Sequence, residues 1–279
     1  MMSLAYIITA YKQPSQFARL MDVLWHPDDH FAVHVDAKTS PEVHREFVLA
    51  AKGRSNIEFI PPVSVVWGGF GLCQAEWNAL NALIRRPGWT HMMNITAQDF
   101  PLRTRERMIE ELRSKPGVNH MRVLPLADSK PHFRRRFHWV CVEAGGKVRR
   151  LPLPYPKPRG FRNDWIGDGW HILTREFCEW AVTAPVAQEC LRWFRRVKHP
   201  HESWYQAMMM ASPFAGTVDA DNKRLIKWMP NSGNPRVLTA ADLPELASSS
   251  AFFARKFDET VDAEVLDRLA SRLRGSMAA

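Results

Sequence analysis

The chain has 279 residues, 46% of them hydrophobic and 24% charged, with a formal net charge of +9. That size and balance suit one large α/β domain or two small ones and exclude an intrinsically disordered chain. No run of about 18 apolar residues occurs, which excludes a membrane-spanning helix, and the excess charge points to an anionic partner: nucleic acid, a membrane surface or a phosphorylated small molecule.

The N-terminus enters strand-like Leu4–Ile8 with no basic leader or small-residue cleavage site, so it reads as a core strand rather than a signal peptide. A helix follows over 15–25, with Phe17, Leu20, Met21 and Leu24 on one face. Phe31–Val35 is a second strand that ends in Asp36-Ala37-Lys38, 41–51 a second helix, and Ile57–Ile60 a third strand. This β-α-β-α-β alternation with short connections predicts a parallel sheet. Asp36 then stands at a strand's C-terminal end, where a carboxylate commonly takes a ribose hydroxyl or a base edge.

Val65-Val66-Trp67-Gly68-Gly69-Phe70-Gly71 precedes a helix over 72–85. Glycines there either cradle a phosphate or make a tight turn that packs helix on strand. The pattern is neither a G-x-G-x-x-G nor a P-loop, which favours the turn. His91–Ile95, bounded by Arg86-Pro87-Gly88, reads as a buried central strand. The run ends in Ala97–Pro101, which is not expected to continue as strand because Pro101 has no donor and restricts Phe100. Asp99 falls just past that strand and either braces the turn or meets a ligand on the same rim as Asp36. A helix is expected over 104–114.

Beyond it the alternation breaks down. His132–Trp139 is basic with aromatics interleaved, which suits a nucleic-acid backbone, a solvated strand or an anionic acceptor. Ala144-Gly145-Gly146-Lys147 reads as a hairpin tip and 152–162 as a proline-rich loop. Regular structure resumes with a strand at Gly167–Thr174, then helices from Arg175, over 186–196 and over 202–211; Glu202 opens the last of these, where a carboxylate favours the helix dipole. Asp219-Ala220-Asp221 has the D-x-D form of a metal-binding motif but reads as a turn. Lys223–Trp228 is a strand, Asn231–Pro235 a loop presenting Arg236, Phe252–Asp258 an alternating aromatic and basic stretch, and Val261–Leu273 a closing amphipathic helix. Cys73, Cys141, Cys178 and Cys190 lack metal or redox spacing and read as buried thiols of a reducing cytosol. Eleven tryptophans offer faces that pack cores or stack on sugar rings.

HVDAK at 34–38, VVWGGFG at 65–71, NITAQDFPLRT at 94–104, GDGWHILTREF at 167–177, HESWYQ at 201–206, NKRLIKW at 222–228 and FFARKFD at 252–258 lie in one order. Together they resemble the core-2/I-branching β-1,6-N-acetylglucosaminyltransferase family, which also contains the peptide O-xylosyltransferases. The WGG, ESWYQ and FFARKFD blocks look closer to the xylosyltransferase branch. The resemblance implies an α/β, GT-A-like (Rossmann-type) fold with a mostly parallel sheet flanked by helices. It forms a single domain over 1–274, with a nucleotide-binding half to about 115, an acceptor and catalytic half beyond, and a tail at 275–279.

The implied activity is inverting transfer of xylose or N-acetylglucosamine from a UDP-sugar donor to a hydroxyl of a saccharide or peptide acceptor, with neither metal nor cofactor. Carried over by position, Glu202 matches the catalytic base, Arg236 and Lys256 the basic pair on the pyrophosphate, and Asp36 the uridine-contacting aspartate. Trp67 and Gly68 lie in the donor loop, with Asp99 beside them. Xylosyltransferases look to have an aspartate directly before the tryptophan of the GSDW-like block. Here that position is Gly169, and Asp168, one residue earlier, becomes a second catalytic candidate. Arg135, Trp139, Trp170, Trp204 and Trp228 are the expected acceptor-binding residues. The chemistry is coherent: one carboxylate takes the acceptor proton, and fixed cations stabilise the departing UDP. The expected setting is the cytoplasm, with peripheral membrane association open, no nucleic acid, and the oligomeric state undetermined. The competing classes are a nucleic-acid-binding protein using Arg134–Arg136 and an inactive saccharide- or UDP-binding module.

Overall fold

Alternate residues of the first strand enter two different apolar layers. Leu4, Tyr6, Ile8 and Ala10 join one cluster, and Ala5 and Ile7 the other. A strand buried on both faces belongs inside a parallel sheet. A computed structural model describes residues 2–230 and 232–277 of the protein and shows that arrangement. Asn231, expected in the loop before Arg236, and the last two residues of the expected tail lie outside the described residues.

The strands are β1 (Ser3–Ala10), β2 (His30–Val35), β3 (Ile57–Phe59), β4 (Trp89–Thr96), β5 (Asp99–Pro101), β6 (Asn119–Pro125), β7 (Trp139–Ala144), β8 (Lys147–Pro154), β9 (Trp165–Thr174), β10 (Val218–Asp219), β11 (Arg224–Ile226) and β12 (Phe253–Arg255). The helices are α1 (Pro14–Leu24), α2 (Pro41–Ala50), α3 (Gly71–Ile84), α4 (Arg105–Ser114), α5 (Pro131–Arg134), α6 (Arg175–Thr183), α7 (Pro185–Phe194), α8 (Trp204–Met210), α9 (Leu243–Ser248) and α10 (Glu264–Met277). A seven-stranded sheet runs β10-β6-β9-β4-β1-β2-β3, with β9 antiparallel to both neighbours and every other pairing parallel. Helices α1, α2, α4 and α10 cover one face, and α3, α6, α7 and α8 the other. The result is a three-layer α/β fold with a mostly parallel sheet, as expected.

Local chemistry explains the helix starts. Proline opens α1, α2 and α7, and the Ser40, Thr104 and Thr174 hydroxyls accept the backbone N–H of Val43, Arg107 and Phe177. The four cysteines are free and buried.

Two segments depart from the sequence reading. Residues 99–101 do form a strand: β5 pairs antiparallel with β12, which pairs parallel with β11. Its missing Pro101 donor is tolerated because β5 is an edge strand. Strand β6 has no counterpart in the sequence reading, because only Asn119, His120 and Met121 of its seven residues are buried. The hairpin tip between β7 and β8 is as read: Gly145 and Gly146 both take positive φ, 60° and 71°, which a tight two-residue turn needs.

Candidate active site

The order β3-β2-β1-β4 changes direction at β1, and open α/β sheets hold ligands beyond the strand ends at such a reversal. Tyr11–Gln13 follow β1 there, Asp36–Lys38 follow β2, and Ala97–Asp99 lead from β4 into β5. Pairing with β5 then brings β12 to the same edge, with Arg255 opposite Asp99.

Asp36 ties β2 to the loop that carries Trp67. Its Oδ1 accepts the Lys38 N–H at 2.9 Å and the Val65 N–H at 3.4 Å, while Lys38 Nζ lies 3.6 Å from Oδ2. Asp99, expected to meet the donor, is instead fully buried. Its Oδ2 accepts the Thr96 N–H at 2.9 Å, and its Oδ1 meets the Thr96 hydroxyl at 3.2 Å and Arg255 Nε at 3.3 Å. Burial pushes this carboxyl up, against the pull of Arg255 and Thr96. Asp99 therefore braces the turn and anchors Arg255, whose guanidinium stacks 4.1 Å from the centre of the Trp170 ring.

Lys256 stands next in the chain, half-buried, with no ion pair or side-chain hydrogen bond among the described residues. Burial and the like charges of Lys12 and Arg255 push it below the usual lysine range; Asp258 offsets them only in part. Arg236 is committed elsewhere: its guanidinium is bonded to Asp242 at 2.5 Å. Burial opposes ionisation of Asp242, yet Arg236, the Thr239 N–H and Lys227 hold it down to about 2.

The opposite wall comes from the loop at 65–71 and the segment at 199–204. Gly68, with φ at +75°, accepts the His199 N–H through its carbonyl at 2.7 Å, and a Cβ there would lie 2.9 Å from the His199 ring. Trp67, 77% exposed, meets the same imidazole edge-on at 4.5 Å. The Phe70 N–H at the start of α3 donates to Glu143 Oε1 at 2.7 Å, and the Gly69 N–H donates to the Val66 carbonyl at 2.8 Å. These amides have internal partners, so the glycines make a docked turn rather than a phosphate cradle.

Glu202 sits in a short 3-10 turn before α8, not inside the helix, with its side chain 26% exposed. Its Oε2 is bonded to Arg136 Nη1, and its Oε1 lies 3.6 Å from His201 Nε2. Burial lowers His201, against the pull of Glu202, and brings His199 down to about 4, aided by Arg136. His201 covers Gly169: a Cβ on that glycine would lie 3.1 Å from His201 Cδ2. A chain of contacts therefore runs from Asp36 through Val65, Trp67, His199 and His201 to Glu202, and from His201 over Gly169 and Trp170 to Arg255.

Asp168 lies under this wall. Its Oδ1 accepts the Trp170 N–H at 3.0 Å and its Oδ2 the Asn222 amide at 2.8 Å. Burial raises it, against those hydrogen bonds and Arg122 and Arg224. Trp204 does not line the cleft as expected. It is fully buried against Trp77 and Tyr205, because position 204 begins α8 facing the core. Trp139 is half-buried beside Arg150 at 5.6 Å, and Arg135 is exposed. Trp228, 55% exposed, bridges to Pro235 on an outer loop. Asp219 and Asp221 form the expected turn, paired with Lys115 at 3.2 Å and Lys223 at 2.7 Å. Among the described residues no three His, Cys, Asp or Glu side chains converge as metal ligands.

Sequence reasoning overlooked Glu143, the pairing of Arg136 with Glu202 and that of Arg255 with Asp99. Arg136 and Arg255 lay within stretches singled out for alternating aromatic and basic residues, but their carboxylate partners are distant in the chain.

The family model described as Core-2/I-Branching enzyme matches residues 4–247. Xylosyltransferase 2 of Rattus norvegicus is 28% identical over 295 residues, covering 98% of this chain and 34% of that protein. The chain thus spans about a third of the length of the xylosyltransferases it matches. The Homo sapiens protein named probable beta-1,3-galactosyl-O-glycosyl-glycoprotein beta-1,6-N-acetylglucosaminyltransferase 7 is 28% identical over 304 residues, covering 98% of this chain and 68% of its own. The structure of mouse xyloside xylosyltransferase 1 in its apo form aligns over 90% of this chain and 97% of its own at 10% identity, with a TM-score of 0.45.

Proposed function

The chain belongs to the core-2/I-branching enzyme family, and from that premise we propose that it is an inverting glycosyltransferase moving xylose or N-acetylglucosamine from UDP to a hydroxyl of a saccharide or peptide acceptor, without an essential metal. The observation that carries the reading is Lys256: a half-buried cation beside Lys12 and Arg255, at the reversal of strand order, with no ion pair or side-chain hydrogen bond among the described residues. A site of that charge is completed by a pyrophosphate.

In this reading Asp36 takes the uridine and Trp67 forms the donor wall. Lys256 and Arg255 stabilise the pyrophosphate as the bond from the anomeric carbon to UDP breaks. Glu202 takes the proton of the acceptor hydroxyl as its oxygen attacks that carbon from the face opposite UDP, so the configuration inverts. Arg136 releases Glu202 before that step. Asp168 positions the floor of the site through Trp170 and Asn222, rather than exchanging a proton. Arg236 serves the pyrophosphate less directly, because Asp242 already holds it.

The test is a calorimetric titration with UDP and with uridine. Tight UDP binding and weak uridine binding are expected. A protein that binds neither, or binds both alike, overturns the assignment.

A further inference from the structure

The chain's positive charge is concentrated in one segment. Residues 129–162 contain ten lysines and arginines and one acid, Glu143, a net +9. The whole chain has 38 basic and 29 acidic residues, also net +9, which leaves 28 of each everywhere else. The segment comprises α5, the turn through Phe137, the β7–β8 hairpin and the proline-rich stretch after it. Its one carboxylate is bonded to the Phe70 N–H.

Elsewhere two lysines each sit between two carboxylates: Lys223 pairs with Glu111 and Asp221, and Lys227 with Asp242 and Glu245. Within the segment, only Arg136 and Arg162 have carboxylate partners among the described residues. Eight cations of this one segment therefore have no carboxylate partner among the described residues, a surplus of charge that an anionic ligand complements.

Two contacts set this segment against the reaction centre rather than on a remote face. Arg136 is bonded to Glu202, and Glu143 caps the start of α3 behind the Trp67 loop. Trp139 adds an indole with the Arg150 guanidinium 5.6 Å from its centre. An aromatic face beside a cation suits a sugar ring that carries a charge: the ring stacks and the guanidinium takes the anion.

We infer that the acceptor is a glycan bearing carboxylate or phosphate groups, bound by the cations of residues 129–162, and that Arg136 exchanges Glu202 for one of those anions. The base is then freed only when an acceptor is in place. This rests on the transferase reading above, but its test does not require turnover.

The probes are a galacturonate hexamer, its neutral methyl ester, a phosphorylated dextran, hexaglutamate, and phosphatidylglycerol vesicles, each titrated at low and at physiological salt. Both anionic glycans are expected to bind, more weakly as salt rises, with the methyl ester weaker by about tenfold or more. The R134A/R135A/R150A variant is expected to lose a similar factor for the anionic glycans while keeping its UDP affinity and melting temperature. The corresponding triple lysine variant recovers part of the loss. Glu202 becomes reactive to a water-soluble carbodiimide when the galacturonate hexamer is bound, read by peptide mass mapping; unchanged protection overturns the exchange. Hexaglutamate binding as tightly as the hexamer, or capture by vesicles without glycan binding, overturns the glycan assignment. UDP binding without glycan binding sinks this inference and leaves the transferase reading standing. Glycan binding without UDP binding does the reverse.

Discussion

Replacing Lys256 by alanine separates a donor-binding lysine from a structural one. In the free protein Lys256 has no ion pair among the described residues, and the repulsion of Lys12 and Arg255 outweighs the pull of Asp258. Removing it therefore relieves repulsion, so the melting temperature is expected to hold or rise. In the proposed UDP complex the same side chain faces the pyrophosphate, and a charge-assisted contact is worth about 1.5–3 kcal/mol. That corresponds to roughly 10- to 150-fold in Kd. Uridine carries no pyrophosphate, so its affinity should change by less than about twofold. Calorimetry of wild type and Lys256→Ala with both ligands, alongside thermal melts without ligand, reads all three quantities. Binding UDP should also raise the lysine toward its ordinary range and draw a proton from alkaline buffer, seen as a binding heat that varies with the buffer's ionisation enthalpy. A variant that melts lower and binds UDP as well as wild type would refute the argument, since Lys256 would then be structural.

Glu202→Gln should keep UDP affinity and lose about 10²–10⁴ in transfer rate; a variant within a few-fold of wild type removes Glu202 as the base. Asp99→Ala leaves Arg255 buried without its carboxylate, and denaturant melts should show a loss of about 3–5 kcal/mol, whereas a site limited to ligand contact would lose almost none. Glu143→Ala leaves the Phe70 N–H without its partner, so amide exchange over 66–71 should accelerate while the sheet amides stay protected. Burial raises Glu76 to about 8, with Asn94 donating at 3.3 Å in partial opposition. A carboxyl raised on folding gives stability that is full below its unfolded value and is lost as pH rises through 8. Between pH 5 and 8 wild type should therefore lose about 1.4 kcal/mol per unit relative to Glu76→Gln, and parallel pH profiles for the two would show that Glu76 does not titrate in that window.

The parallel half of the fold was legible because its signals are local: apolar runs, connections of a few residues, and carboxylates at strand ends. Asp36, Trp67 and Lys256, singled out by sequence motifs, all fall at one edge of the sheet. The failures have one cause, that burial and pairing depend on partners far along the chain. Nothing near Asp99 announces Arg255, which reaches it only because β12 folds back onto β5. Nothing near Glu202 announces Arg136, 66 residues away. Trp204 looks like a sugar platform beside a catalytic carboxylate, yet one step along the turn rotates it into the core against Trp77. Strand β6 was missed because its outer half faces solvent and breaks the apolar run.

The packing of His201 on Gly169 has a consequence for how this site can change. A Cβ at position 169 would already stand 3.1 Å from His201 Cδ2, and an aspartate would carry its carboxylate further into the same space. Gly169→Asp requires the imidazole to give by a few tenths of an ångström, and a smaller residue at position 201 removes that contact. The effect of Gly169→Asp therefore depends on how far the His201 ring gives way, so positions 169 and 201 are coupled. An aspartate directly before Trp170 is thus best introduced and measured both alone and together with a smaller residue at position 201.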